Sequence, residues 1–159
     1  MILKTEKIIA CVAWTLLQIV AYIVVRFVEP IMMETLMPKN QWYCIKPPVL
    51  SFLGVMENIV LIAVFAVVVV GEVILIRHEY GSKKFWKHTA IWYAVYVVLI
   101  VGMTIGEGIN FNVLGDPLII PLTIAICLYP VIALLELMLV ISIARWVKNL
   151  MLKITNSHV

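Results

Sequence analysis

Residues 49–76 read VLSFLGVMENIVLIAVFAVVVVGEVILI. Only Glu57 and Glu72 in this stretch carry an ionisable side chain, and nearly all the other residues are apolar. About 20 consecutive apolar residues are enough for an α-helix to cross the hydrocarbon core of a bilayer. The stretch therefore predicts a transmembrane helix that is long enough to tilt or to extend into the headgroups.

Three further apolar stretches accompany this helix, at residues 8–27, 85–105 and 118–146. The chain is 64% hydrophobic and 13% charged, whereas soluble domains carry about 25% charged residues. We therefore expect one membrane domain over residues 1–159, an all-α integral membrane four-helix bundle. Its long loop, residues 29–48, contains four prolines that oppose regular structure. Pro130 should kink the fourth helix.

The basic residues predict the orientation of this bundle. Nine of the twelve lysines and arginines fall on one side of a four-span arrangement, and lysine and arginine are retained on the cytoplasmic side of membranes. We therefore expect a multi-pass protein of the cytoplasmic (inner) membrane with both termini in the cytoplasm. The nine residues are Lys4, Lys7, Arg77, Lys83, Lys84, Lys87, Arg145, Lys148 and Lys153.

Several polar side chains fall inside the predicted spans, where contact with lipid costs free energy. They should face the bundle interior as a polar cluster or an ion path, formed by Glu57, Asn58, Glu136, Gln18 and Tyr129. Three interpretations stay open: hydrogen bonds between helices, a path for protons or ions, and a pocket for a lipid or quinone beside Pro130.

Two ion pairs are also expected near the ends of the spans. Glu72 lies close enough to the basic side to pair with Arg77 or Arg145, as an inner-rim ion pair. Arg26 and Glu29 are three residues apart, a spacing that permits a local pair on a helix.

The third predicted helix carries a ridge of small residues, Ala90, Ala94, Gly102 and Gly106, with Val98 in register between them. Small side chains let the backbone of another transmembrane helix approach closely. The ridge fits packing inside the bundle, or a contact with a second copy or another membrane protein.

Catalytic motifs, paired cysteines and phosphate-binding loops are not apparent in the sequence, and no family resemblance is assigned. We therefore expect no catalytic residue, no metal, no cofactor and no nucleic-acid partner. The favoured interpretation is a non-catalytic subunit or interaction partner in a larger membrane complex. Its partners would be membrane lipid and either other subunits or a second copy through the third helix. The alternatives are a small proton- or ion-coupled transporter or channel that uses the intramembrane carboxylates, and a lipid- or quinone-binding membrane enzyme.

Overall fold

The computed structural model describes residues 4–36 and 46–157, which form four helices. They are α1 (Lys4–Leu36), α2 (Pro47–Arg77), α3 (Lys83–Asn110) and α4 (Ile119–Ser157). Each contains an apolar window long enough to cross a membrane. The predicted all-α membrane four-helix bundle is therefore confirmed.

The helices pack so that α1 and α3 each contact both α2 and α4, and α2 also contacts α4. Large apolar side chains from all four helices fill the centre, among them Trp14, Phe52, Met56, Leu75, Phe85 and Leu137. Many other large apolar side chains are exposed on the outside of the bundle. A surface of this kind is suited to lipid tails and not to water.

A short turn joins α2 to α3 and makes the two helices antiparallel. The N–H of His78 donates to the carbonyl of Ile74 and closes α2. Gly81 has a φ of +82°, a conformation that glycine adopts without steric cost. The Ser82 hydroxyl then accepts a hydrogen bond from the N–H of Phe85 at 3.1 Å and caps the start of α3.

At one end of the bundle lie the beginning of α1, the turn after α2 and the later part of α4. Lys7 Nζ donates to the carbonyl of His78 at 3.2 Å, and Lys148 forms an ion pair with Glu6. We call this the basic end. The turn at residues 111–118 lies at the opposite end of α3, where Asp116 Oδ1 accepts a hydrogen bond from the N–H of Leu118.

The first helix is longer than the sequence predicts. It continues to Leu36, so the expected loop at residues 29–48 is helical as far as residue 36, and residues 37–45 lie outside the described part of the chain. Pro30 lies within this helix, and a proline removes only one helical hydrogen bond, for which neighbouring groups can compensate within a membrane. The segment after it also consists largely of good helix formers, and the Thr35 hydroxyl bonds back to the carbonyl of Ile31 at 2.8 Å.

The later helices also extend beyond their expected limits. Gly106 and Gly108 do not end α3, which continues to Asn110, because neither glycine adopts a positive φ. The last helix continues through residues 147–157, which include the good helix formers lysine, leucine and methionine. Pro130 lies inside α4, and the helix is continuous on both sides of it.

Candidate functional site along helix α1

A row of polar side chains follows one face of α1. Thr15, Gln18, Tyr22 and Arg26 are spaced three or four residues apart, which places them on the same side of an α-helix. We call these four residues the α1 stripe. Three of them contact a carboxylate on a neighbouring helix, so the stripe connects the acidic residues that the sequence places in the membrane.

Gln18 lies at the centre of the site and is only 3% exposed. Its amide nitrogen donates to the carboxylate of Glu136, and its amide oxygen accepts a hydrogen bond from the hydroxyl of Tyr129. Both partners belong to α4. The amide thus uses its donor and its acceptor sides together, and it joins a phenol to a carboxyl group in the middle of the bundle.

Trp14 also joins α1 to α4, about one helical turn before Gln18. Its indole N–H donates to the backbone carbonyl of Ala133 at 3.1 Å, and the side chain is 2% exposed. The rings pack against Gly71 of α2. The position of Gln18 opposite Tyr129 and Glu136 is therefore set by a rigid aromatic anchor.

Thr15 meets the second carboxylate of the site. Its hydroxyl contacts Glu72 of α2 and lies 2.9 Å from the backbone carbonyl of Cys11. A threonine hydroxyl has one hydrogen to donate. This one hydrogen is therefore shared between the Glu72 carboxylate and the Cys11 carbonyl.

Arg26 meets the third carboxylate, that of Glu57, in an ion pair between α1 and α2. Both side chains are nearly half exposed, at 46% and 47%. The expected partner Glu29 has a side chain outside the described part of the chain. The neighbouring Asn58 is exposed, and its amide donates to the carbonyl of Gly54 at 3.1 Å.

The predicted polar cluster is therefore divided. Gln18, Tyr129 and Glu136 come together, as expected, but Glu57 and Asn58 do not join them. Arg26 is eight residues beyond Gln18 along α1, which is about 12 Å at 1.5 Å per residue. The Glu57 pair thus lies more than two turns away from the Gln18 junction, nearer the end opposite the basic end.

The predicted ion pair of Glu72 with Arg77 or Arg145 is wrong. Across the described ranges, no ion pair joins these residues, and the Glu72 partner is Thr15. Arg77 follows Glu72 by five residues, and only residues three or four apart become neighbours on a helix surface. Glu72 instead faces α1, as does the adjacent Gly71, which contacts Trp14.

Pro130 leaves a backbone carbonyl in the membrane without its usual helical donor, because proline has no N–H. That carbonyl belongs to Ile126, and it accepts a hydrogen bond from the hydroxyl of Tyr96 on α3 at 3.0 Å. Tyr96 is 5% exposed. A side chain of a neighbouring helix therefore compensates for the bond that Pro130 removes.

A cavity of about 20 Å³ lies beside Pro130 and is lined mainly by apolar side chains. Trp14, Gly71, Thr89 and Trp92 contribute to its walls, and Tyr129 does not. This volume is enough for about one water molecule. An acyl or isoprenoid chain would enter only if the helices moved apart.

The small-residue ridge of α3 faces away from the bundle. Ala90, Ala94, Gly102 and Gly106 are all exposed, and Val98 is 71% exposed. A Cβ atom added at Gly102 or Gly106 would have no heavy atom within 4 Å. Of the two interpretations of this ridge, packing inside the bundle is wrong, because the faces that α3 turns toward α2 and α4 are occupied by larger residues such as Tyr96 and Ile100.

Two contacts of the site were missed from the sequence, Thr15 with Glu72 and Arg26 with Glu57. The signal was present in the regular spacing of the α1 stripe, which predicts that all its members face the same neighbours. No group of three or more histidine, cysteine, aspartate and glutamate side chains converges within residues 4–36 and 46–157.

Comparisons of the chain with protein-family models, with curated proteins and with solved structures gave no match. Function is therefore inferred from the geometry alone.

Proposed function

We propose that this protein is a non-catalytic subunit or interaction partner in a membrane assembly, and that it binds its partner through the outward face of α3. The observation that carries the proposal is the open space around Gly102 and Gly106. Glycine in a helix interior costs up to about 1 kcal/mol relative to alanine. Inside the bundle, nothing in the described residues uses the close approach that these two glycines permit.

The burial of the helices supports the same proposal. Only 17% of the apolar window of α3 is buried within the chain, the smallest share of the four helices. Transmembrane helices associate through close packing of small residues and not through a hydrophobic driving force. A ridge with alanine at two positions and glycine at two more is suited to this kind of contact.

The test is substitution of Gly102 and Gly106 by isoleucine. Because an added Cβ atom at either position would meet no other described residue within 4 Å beyond its own stretch of helix, the fold should tolerate both changes, whereas a partner helix should be displaced. Co-purification in a mild detergent and cross-linking in native membranes measure the loss of the partner. Gly54→Ile is the matched control, because Gly54 is also exposed with open space around it, but on α2.

The proposal fails if the wild-type protein is a monodisperse monomer with no co-purifying polypeptide. It also fails if the glycine variants of α3 retain the partner as well as Gly54→Ile does.

A second candidate function is proton transfer along the α1 stripe. It is favoured by the contact of the Thr15 hydroxyl with Glu72 and by the hydrogen-bonded series from Tyr129 through Gln18 to Glu136. Carboxyl groups and hydroxyls inside membranes are the usual components of proton relays.

Proton flux into liposomes tests this candidate. Glu136→Gln keeps a hydrogen-bonding group opposite Gln18 but removes the exchangeable carboxyl proton, so flux should fall to background while the protein remains folded. Glu79→Gln is the control, since Glu79 lies in the turn between α2 and α3, outside the contacts of the α1 stripe. A wild-type protein without flux, or equal flux in the two variants, removes the candidate.

A further inference from the structure

Five basic side chains from three parts of the chain meet at the basic end. Lys7 comes from α1, Arg77 and His78 from the end of α2, and Lys84 and His88 from the first two turns of α3. We call them the basic rim cluster. None of them takes part in the α1 stripe or in the α3 ridge.

The two imidazoles are the structured part of this cluster. The rings of His78 and His88 stack with their centroids 4.3 Å apart and an angle of 24° between their planes. Nδ1 of His88 lies 2.7 Å from the backbone carbonyl of Lys84, so this nitrogen donates its hydrogen there.

Lys7 ties the cluster to the bundle. Its ammonium group donates to the carbonyl of His78 at 3.2 Å and lies 3.5 Å from the carbonyl of Ile76. These carbonyls form the negative end of α2, where a cation is stabilised by the helix dipole. Lys7 thus keeps a positive charge next to the histidine pair.

The electrostatics of His78 reflect this crowding. Desolvation, followed by the positive charges of His88, Lys84, Arg77 and Lys7, lowers the pKa of His78 below its ordinary value. Acidic groups and other cations are also present at this end of the bundle. The acidic groups are Glu6 and Glu79, the further cations are Lys83, Lys87, Arg145 and Lys148, and Tyr80 contributes a phenol. Glu6 pairs with Lys148.

The cluster lies at the level of the lipid headgroups. Two tryptophans near the same end of the bundle, Trp86 and Trp146, are 43% and 63% exposed. Tryptophan is enriched at the boundary between hydrocarbon and water. A phosphate group carried by a lipid therefore lies within reach of the cluster, and its acyl chains can stay in the bilayer.

We propose that the basic rim cluster binds the phosphate of an anionic lipid headgroup, and that the stacked histidines strengthen this binding as the pH falls. An anion beside two imidazoles stabilises their protonated forms. By linkage, affinity for the anion rises as the pH falls through the range in which the histidines take up protons. At higher pH only the lysines and Arg77 attract the lipid. This inference does not depend on the assembly through α3.

Native mass spectrometry of the purified protein tests the proposal, with phosphatidylglycerol as the anionic lipid and phosphatidylcholine as the zwitterionic comparison. Retention of phosphatidylglycerol should exceed that of phosphatidylcholine. It should rise several-fold between about pH 8 and about pH 5, the range in which histidine changes charge.

Two exposed substitutions separate the site from general basicity. Lys84→Gln should lower phosphatidylglycerol binding several-fold, whereas Lys153→Gln removes the same charge from the exposed end of α4 and should have little effect. His88→Gln should leave binding at high pH unchanged and reduce its increase at low pH, because only His78 of the stacked pair remains. Equal losses in the two lysine variants, or an unchanged pH profile in His88→Gln, would overturn the proposal.

Inorganic phosphate distinguishes the source of the anion. Thermal unfolding in detergent should shift upward with phosphatidylglycerol and remain unchanged with phosphate at the same concentration. An equal shift with phosphate alone would show that a free anion, and not a lipid, is the ligand.

Discussion

Gly71 lies against a buried aromatic side chain, so the structure leaves no room for a larger residue at this position. A Cβ atom at this position would lie 2.7 Å and 3.0 Å from two carbon atoms of the Trp14 indole. Trp14 cannot move aside easily, because its N–H is bonded to Ala133 and its side chain is buried. The close approach of α1 and α2 therefore depends on the missing side chain.

Gly71→Ala should destabilise the protein by about 1–3 kcal/mol, the usual cost of overpacking a well-packed core. Unfolding in a mixed-detergent titration, followed by circular dichroism, measures the loss. Gly54→Ala makes the same chemical change at a helical glycine with open space around it, and it should be neutral or slightly stabilising. Equal stability of the two variants would contradict the contact between Gly71 and Trp14.

The residues of the Gln18 junction were predictable to a considerable extent. Polar side chains in apolar spans are expected to turn inward, and Gln18, Tyr129 and Glu136 do so. The position of Glu57, away from the Gln18 junction and paired with Arg26, was not predictable by the same rule. Its depth depends on how far α2 extends beyond the hydrocarbon, and its ion pair with Arg26 depends on the relative height of two helices. One sequence fixes neither quantity.

Among the helices, α3 and α4 are joined by a hydrogen bond at the level of the proline. The Tyr96 hydroxyl reaches the one carbonyl, that of Ile126, which Pro130 deprives of its helical donor. The proline predicts that such a donor is needed, but the sequence does not say which helix supplies it. Several hydroxyl-bearing residues lie in the spans, and their distances become known only once the helices are packed.

Tyr96→Phe should destabilise the protein by about 1–3 kcal/mol, because it leaves a buried carbonyl without a donor. The decisive measurement is a double-mutant cycle with Pro130→Ala, which restores the backbone N–H. In the alanine background the cost of Tyr96→Phe should be much smaller, with a coupling energy within the range of about 0.5–3 kcal/mol. Additive effects of the two changes would show that Tyr96 does not compensate for Pro130.

The bounds of the helices show which features of the fold a hydrophobic pattern predicts and which it does not. Apart from Leu118, which precedes α4, each predicted span lies within a helix of the structure, since apolar runs of this length favour an α-helix in a bilayer. The apolar pattern does not predict the extension of α1 to Leu36, because a proline commonly marks the end of a helix. The outward direction of the α3 ridge was also undecided, since periodicity identifies a face but not what it contacts.

The whole molecule places its basic residues unequally. Lys7, Arg77, Lys84 and Lys148 lie at the basic end, and the turn at residues 111–118 at the other end of α3 contains no lysine or arginine. Because cytoplasmic loops retain basic residues, the basic end should face the cytoplasm.

Accessibility of single cysteines tests this orientation. In a variant with the three native cysteines replaced by alanine, Gly115→Cys should react with a membrane-impermeant thiol reagent on intact cells. Glu79→Cys, in the turn of the basic end, should react only after the membrane is opened. Gly115 suits the purpose because it is exposed and has open space around it. The reverse labelling pattern would show that the protein is inserted the other way round.

The bond between Tyr96 and Ile126 has a consequence for synthesis. The ribosome makes α3 before α4, so the phenol is already in the bilayer when the proline-containing segment arrives. The Tyr96 hydroxyl is then available to the Ile126 carbonyl as soon as α4 enters the bilayer. The carbonyl does not have to remain in the hydrocarbon without a hydrogen-bond donor. A rearranged gene that encoded α4 ahead of α3 would allow the same contacts in the folded protein. Its newly made α4, however, would enter the lipid before Tyr96 could donate a hydrogen bond to the Ile126 carbonyl.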